Sequence, residues 1–113
     1  MFRGVITAPI RILGIDPGLR RTGWGVIDCA GARVSWVAHG VIAPPEAGPL
    51  SDRLLHLARG LEAVMQAHGP AEAAVEETFL AANAKSALLL GHARGVALAT
   101  AAGAGLAVAE YAA

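Results

Sequence analysis

The apolar positions of this chain change their period along its length, and each change marks a new element. Residues 11–15, RILGI, make a short continuous apolar run that ends on Asp16-Pro17-Gly18, which reads as a strand followed by a tight turn. From Thr22 to Cys29, Trp24, Val26 and Asp28 alternate with Gly23, Gly25 and Ile27. Two glycines inside a strand mark a place where a ligand or another backbone comes close. Gly31 fits a hairpin turn, and RVSWVAHGVIA then sets Val34, Trp36 and Ala38 on one face. The chain is expected to open with a three-stranded antiparallel meander, closed by Pro44 and Pro45.

From Leu50 the period lengthens. Leu50, Leu54, Leu57, Leu61, Val64 and Met65 recur at the three-to-four spacing of an amphipathic helix. Ser51 or Asp52 is the expected N-cap, and Gly69-Pro70 the stop. The apolar stretch at 73–76, between acids, predicts a strand parallel to the first, reached by that helix as a crossover. Asn83 to about Ala102 predicts a second helix, apolar on more than one face because Leu88, Leu89 and Leu90 are consecutive. Gly91 and Gly95, four apart, would let another helix approach closely, and GLAVAEYAA fits a final short strand.

This order places two acids together. Asp16 ends the first strand and Glu76 ends the parallel one, so both stand at the carboxyl edge where open α/β sheets bind ligands. A lone acid after a strand is commonly solvated or caps a turn. Two that converge suit a hard cation such as Mg²⁺, which takes oxygen ligands and shares its shell with substrate phosphates.

Composition narrows the picture further. The 113 residues suffice for one domain, with 55% in the apolar set and 16% charged, which excludes a disordered chain. A formal charge of zero announces no nucleic-acid binder, although a local basic patch is compatible with it. Cys29 is the only cysteine, so no internal disulfide forms and a cytoplasmic setting is expected. The apolar stretch from Val96 to Ala109 is too short for a membrane span. His39, His56, His68 and His92 lack metal-ligand spacing.

Three segments, GIDPGLRRTGWGVID, VEETFLAANAKSALLLGHARGVAL and VAEYAA, closely resemble the RuvC family of bacterial Holliday-junction resolvases, in the ribonuclease-H-like superfamily. The resemblance runs from Ile12 to the last residue. It implies a ribonuclease-H-like α/β fold, with a mixed five-stranded sheet flanked by helices and the family's last helix missing. Residues 1–113 would then be one C-terminally incomplete domain. It also implies a structure-specific endonuclease that resolves four-way DNA junctions in recombination and repair, using Mg²⁺ or Mn²⁺ at two ions per complete site. A homodimer through the second helix and association with the RuvA–RuvB branch-migration complex are further implications.

Carried over residue by residue, the resemblance assigns metal binding and catalysis to Asp16 and Glu76 and leaves Glu77 as surface charge. Phe79 matches a family aromatic that stacks on an unpaired base at the crossover. Asn83 and Lys85, just beyond, are placed to contact phosphates from the start of the second helix, where backbone N–H groups also point outward. Many relatives carry a basic residue where this chain has Ala82. Arg20 and Arg21 follow the Asp16 turn and either approach the phosphodiester or pair with nearby acids, while Arg94 suits a partner within the chain or across a dimer. The family's further helix supplies two more acids that have no counterpart up to Ala113, and Glu110 belongs to the fifth strand, outside the catalytic set.

The 113-residue polypeptide is therefore expected to cut weakly or not at all, and to expose part of its sheet. A non-catalytic junction-binding or dimerisation remnant is the alternative. An actin-like or sugar-kinase ATP-binding domain uses a similar acid–glycine hairpin, but it calls for a hydroxyl residue where Leu19 stands and for a second homologous domain.

Overall fold

The computed structural model describes residues 8–77 and 82–112. Its elements are β1 (Ile10–Asp16), β2 (Thr22–Ala30), β3 (Arg33–Ile42), α1 (Leu50–His68), β4 (Glu72–Glu77), α2 (Ala84–Gly103) and β5 (Ala107–Ala112). They form one five-stranded sheet in the order β3-β2-β1-β4-β5. The first three strands pair antiparallel, while β4 runs parallel to both β1 and β5. This is the mixed sheet of the ribonuclease-H-like fold.

Side-chain alternation divides the sheet into two unlike faces. Leu13, Ile15, Val26, Ala73 and Val75 point to one side and are buried. α1 adds Leu57, Leu61 and Met65 to that side, and α2 adds Ala93, Ala97 and Ala101. A fully buried leucine or isoleucine contributes roughly 1.5–3 kcal/mol, so this layer carries most of the stability. The predicted leucines of α1 do line the core, but α2 meets it through small alanines, and Leu88 stays exposed.

Both helices lie on this side. Gly60 of α1 abuts Ile42 of β3, His68 lies against Trp24 of β2, and Arg94 of α2 pairs with Glu110 of β5. The opposite face carries Ile12, Gly14 and Asp16 of β1, then Ala74 and Glu76 of β4, then Ala109 and Tyr111 of β5.

Two expectations need correction. α1 is entered from Pro49, whose extended backbone accepts N–H bonds from Asp52 and Arg53, and no side chain caps the helix. Ser51 and Asp52 fall inside the first turn, where the Asp52 charge favours the positive helix end. In β3 a bulge opposite Val26 and Ile27 inserts Val37. Trp36 then pairs with Ile27 and Ala38 with Val26, so Trp36 and Ala38 face opposite sides of the sheet.

The punctuation fits its predicted places. Gly31 turns the hairpin with φ 61°, and Gly69 ends α1 in the left-handed region with its N–H on the Met65 carbonyl. Arg11, unassigned in the sequence, forms a two-pronged pair with Asp28 at 2.9 and 3.0 Å and also donates to the His68 carbonyl. It ties β1, β2 and the end of α1 together, and it holds the Asp28 carboxyl below its usual range.

Candidate metal and DNA site

Asp16 and Glu76 owe their meeting to strand register. Ile15 lies opposite Val75 in the parallel β1–β4 pair, and the next residue on each strand is the acid. Neighbouring parallel strands at one level point their side chains to the same face. Asp16 and Glu76 thus share the open face at the carboxyl edge, as the sequence predicts. Glu77, one residue on, belongs to the helix-covered face.

The shared position of Asp16 and Glu76 has an electrostatic consequence. The Asp16 charge raises the Glu76 carboxyl above its ordinary value, and desolvation and a hydrogen bond with Asp16 push the same way. A carboxylate whose ionisation is disfavoured by a neighbouring acid is relieved by a cation placed between them. Among the described residues no group of three or more His, Cys, Asp or Glu is placed to hold a metal.

The row continues on both sides. Tyr111 of β5 lies opposite Glu76, and Gly23 of β2 lies opposite Asp16. Burial raises the Tyr111 phenol, with the charges of Glu76 and Asp16 adding to the shift. Tyr111 is a site residue that sequence reasoning missed. Its signal was the parallel register that sets EY of β5 beside VE of β4. Gly23 keeps the other flank of Asp16 free of side chain, with a Cβ there falling 3.8 Å from that of Asp16. The glycine in the β2 pattern therefore opens one side of the acid to an approaching group.

The turn after Asp16 is built rigidly. Thr22 is fully buried; its hydroxyl donates to the Gly18 carbonyl at 2.7 Å and accepts the Gly18 N–H at 3.1 Å. A Cβ at Gly18 would fall 2.4 Å from the Arg21 carbonyl oxygen, so only glycine fits this turn.

The predicted DNA-facing residues are partly placed. Asn83 caps α2, its side-chain oxygen accepting the Ser86 N–H at 2.9 Å. Lys85 is exposed in the first turn of α2, and the two stand at the same sheet end as the acids. Phe79 lies outside the described residues. Arg20 makes a loose exposed pair with Glu46 at 3.8 Å, and Arg94 finds its partner within the chain in Glu110. Glu110 faces the helices, away from Asp16 and Glu76.

Comparison with known proteins now adds to the geometry. The family described as crossover junction endodeoxyribonuclease RuvC matches residues 12–113. The curated RuvC of Maricaulis maris is 62% identical over 104 residues, and that of a Caulobacter species is 64% identical over 103. These matches cover 92% and 91% of this chain but 63% and 61% of the relatives, so the chain spans less than two thirds of their length. Among solved structures, Thermus thermophilus RuvC in complex with a Holliday junction substrate superposes with a TM-score of 0.83 at 29% identity, over 91% of this chain and 63% of that one. The yeast mitochondrial Holliday junction resolvase, at 16% identity and a TM-score of 0.65, shares the fold. The paired acids at the sheet edge, the strand order and these matches agree: this chain belongs to the RuvC family of crossover junction endodeoxyribonucleases.

Proposed function

We propose that this domain belongs to a Mg²⁺-dependent endonuclease that cuts four-way DNA junctions, with Asp16 and Glu76 as two of its metal ligands. The observation that carries the reading is the shared position of these acids on adjacent strands, where the Asp16 charge disfavours ionisation of Glu76. That donor set fits a hard divalent cation, with Mn²⁺ as a substitute. When bound, such ions lower the pKa of an attacking water and stabilise the leaving 3′ oxygen of the phosphodiester.

The chain's own residues perform the rest. Asp16 stands between Gly23 and Glu76, so it is the one acid open toward a phosphate on one side and toward its carboxylate partner on the other. Asp16 and Glu76 would together hold the ion that supplies this chemistry. The Thr22–Gly18 bonds fix the backbone that follows Asp16 and so hold its aim. Asn83 and Lys85, at the start of α2, meet the backbone beside the cut, and Phe79 stacks on a base at the crossover.

Two carboxylates neutralise a pair of divalent cations poorly. The 113-residue polypeptide tested by itself is thus expected to bind junction DNA and one loosely held ion, with cleavage weak or absent. Junction binding by fluorescence anisotropy, Mn²⁺ binding by calorimetry and a cleavage assay together test the reading. Mn²⁺ binding abolished in Asp16→Asn and Glu76→Gln supports it; equal binding in both variants and the parent sinks it.

Dimerisation through α2 belongs to the same proposal. The exposed positions of α2 include Ala84, Leu88, Gly91 and Gly95, one to each successive turn. A second copy of the helix could pack closely along that line. Engagement by the RuvA–RuvB complex and residence in the cytoplasm complete the reading; among the described residues no helix is long and apolar enough to cross a membrane.

A further inference from the structure

A cavity of about 330 Å³ lies on the helix side of the turn that follows Asp16. Its wall includes Gly18, Arg20 and Arg21 from the turn, Arg53 from α1, and Ser86 and Leu89 from α2. Three of the chain's nine basic residues therefore meet at one cavity in a protein of zero formal charge. Such a concentration needs an account beyond surface solvation.

The guanidinium groups are only lightly engaged. Arg53 gives its Nε–H to the Pro45 carbonyl at 2.9 Å, which leaves its two terminal nitrogens to other partners. Arg20 has the loose pair with Glu46, both side chains more than four-fifths exposed, a contact of little worth. Arg21 is exposed and has no ion pair among the described residues. Leu89 is half-buried and forms an apolar wall facing these donors. Arginine on one side and leucine on another match a ligand that is anionic at one end and apolar at the other.

Distance links the cavity to the acids. Gly18 is two residues from Asp16, so their Cα atoms are at most about 7 Å apart. Successive charges along one DNA strand advance about 3.4 Å along the axis. A strand with its scissile phosphate at Asp16 therefore brings a phosphate one or two nucleotides away to this turn.

We propose that the cavity is a subsite for a DNA backbone phosphate flanking the cut, with Arg20, Arg21 and Arg53 on the phosphate and Leu89 against the adjoining deoxyribose. This rests on the DNA-cutting reading of Asp16 and Glu76, and it assigns the cavity arginines the task of fixing the strand's register. Arginine suits this because its planar donors grip phosphate oxygens in pairs.

The test measures junction binding by the 113-residue chain across a series of salt concentrations. Each phosphate that the protein neutralises contributes about one unit to the slope of log affinity against log salt, however many arginines share it. The Arg20→Gln/Arg21→Gln/Arg53→Gln variant is expected to lower that slope by about one unit, the share of one phosphate, and Arg21→Gln alone by a fraction of that. Arg33→Gln, in β3 beside the hairpin turn, should leave it unchanged. Replacing the phosphate one or two nucleotides from the cut by a neutral methylphosphonate should weaken the parent and leave the triple variant unaffected. An unchanged slope in a parent that binds DNA overturns the subsite and leaves the nuclease reading standing. A parent that does not bind junction DNA overturns both.

Discussion

At the scale of the residue, the chemistry turns on the charge conflict between Asp16 and Glu76. The folded chain holds the Glu76 proton more tightly than the unfolded chain does, chiefly because of the Asp16 charge. The sign follows from linkage: this contribution to stability is full below the ordinary glutamate pKa of about 4.3 and is lost as pH rises through the raised value. Without metal, Glu76→Gln is therefore expected to melt higher than the parent at neutral pH. Added Mn²⁺ should reverse the order, since a ligand at ten times its Kd stabilises the parent by about 1.4 kcal/mol and has no paired site in the variant. Thermal melts with and without Mn²⁺ measure both effects. Tyr111 gives an independent check, because it is the chain's only tyrosine. Its phenol should titrate above 10 by ultraviolet absorbance and move back toward 10 when Asp16 and Glu76 are both amidated, with the part due to burial remaining.

At the scale of the element, two glycines in helices make opposite predictions. Alanine is better than glycine in a helix interior by about 0.8–1 kcal/mol. At Gly91 nothing lies within 4 Å of an added Cβ, so Gly91→Ala should stabilise the single chain by about that amount. At Gly60 the Cβ would come 2.9 Å from Ile42 Cγ2 and 3.0 Å from its Cδ1. Overpacking of that kind costs about 1–3 kcal/mol, so Gly60→Ala should be neutral to destabilising by about 2 kcal/mol. Denaturant melts separate the two. The same Gly91→Ala variant tests the dimer, because a methyl on the exposed line of α2 should weaken self-association in sedimentation while raising monomer stability.

These elements also show what the sequence made legible. The strands and α1 were readable because their apolar periods are clean and Gly31 and Gly69 stand at the turns. Convergence of Asp16 with Glu76 followed from counting residues along two parallel strands. The Trp36 face was misjudged because a bulge depends on how β3 meets β2, which no local pattern encodes. Tyr111 was missed because its neighbours come from β4, and α2 was weighed by its leucines although alanines make its core contact. The Arg53 cavity joins three elements and has no linear signature.

At the scale of the whole molecule, the asymmetry of the sheet governs solution behaviour. The described residues place both helices on one face, while the other presents Trp36 at 72% exposure and Tyr111 at 45%, together with Val41. Apolar area of this kind drives association when it is contiguous. Ile27 and Trp36 pair across β2 and β3, and the Trp36 ring lies over the bare backbone of Gly25 and edge-on to His39. Trp36→Lys removes the largest exposed apolar side chain without touching the buried layer, and a surface change of this type moves stability by about 0.5 kcal/mol or less. The expected outcome is lower concentration-dependent light scattering at nearly unchanged melting temperature. Because Trp36 belongs to the sheet face and Gly91 to the exposed line of α2, the two variants report on different contacts. If association proceeds through both surfaces, combining Trp36→Lys with Gly91→Ala should reduce it additively, as distant independent sites do. Should Trp36→Lys leave scattering unaltered while Gly91→Ala abolishes it, the open face of the sheet plays no part and α2 alone joins the copies.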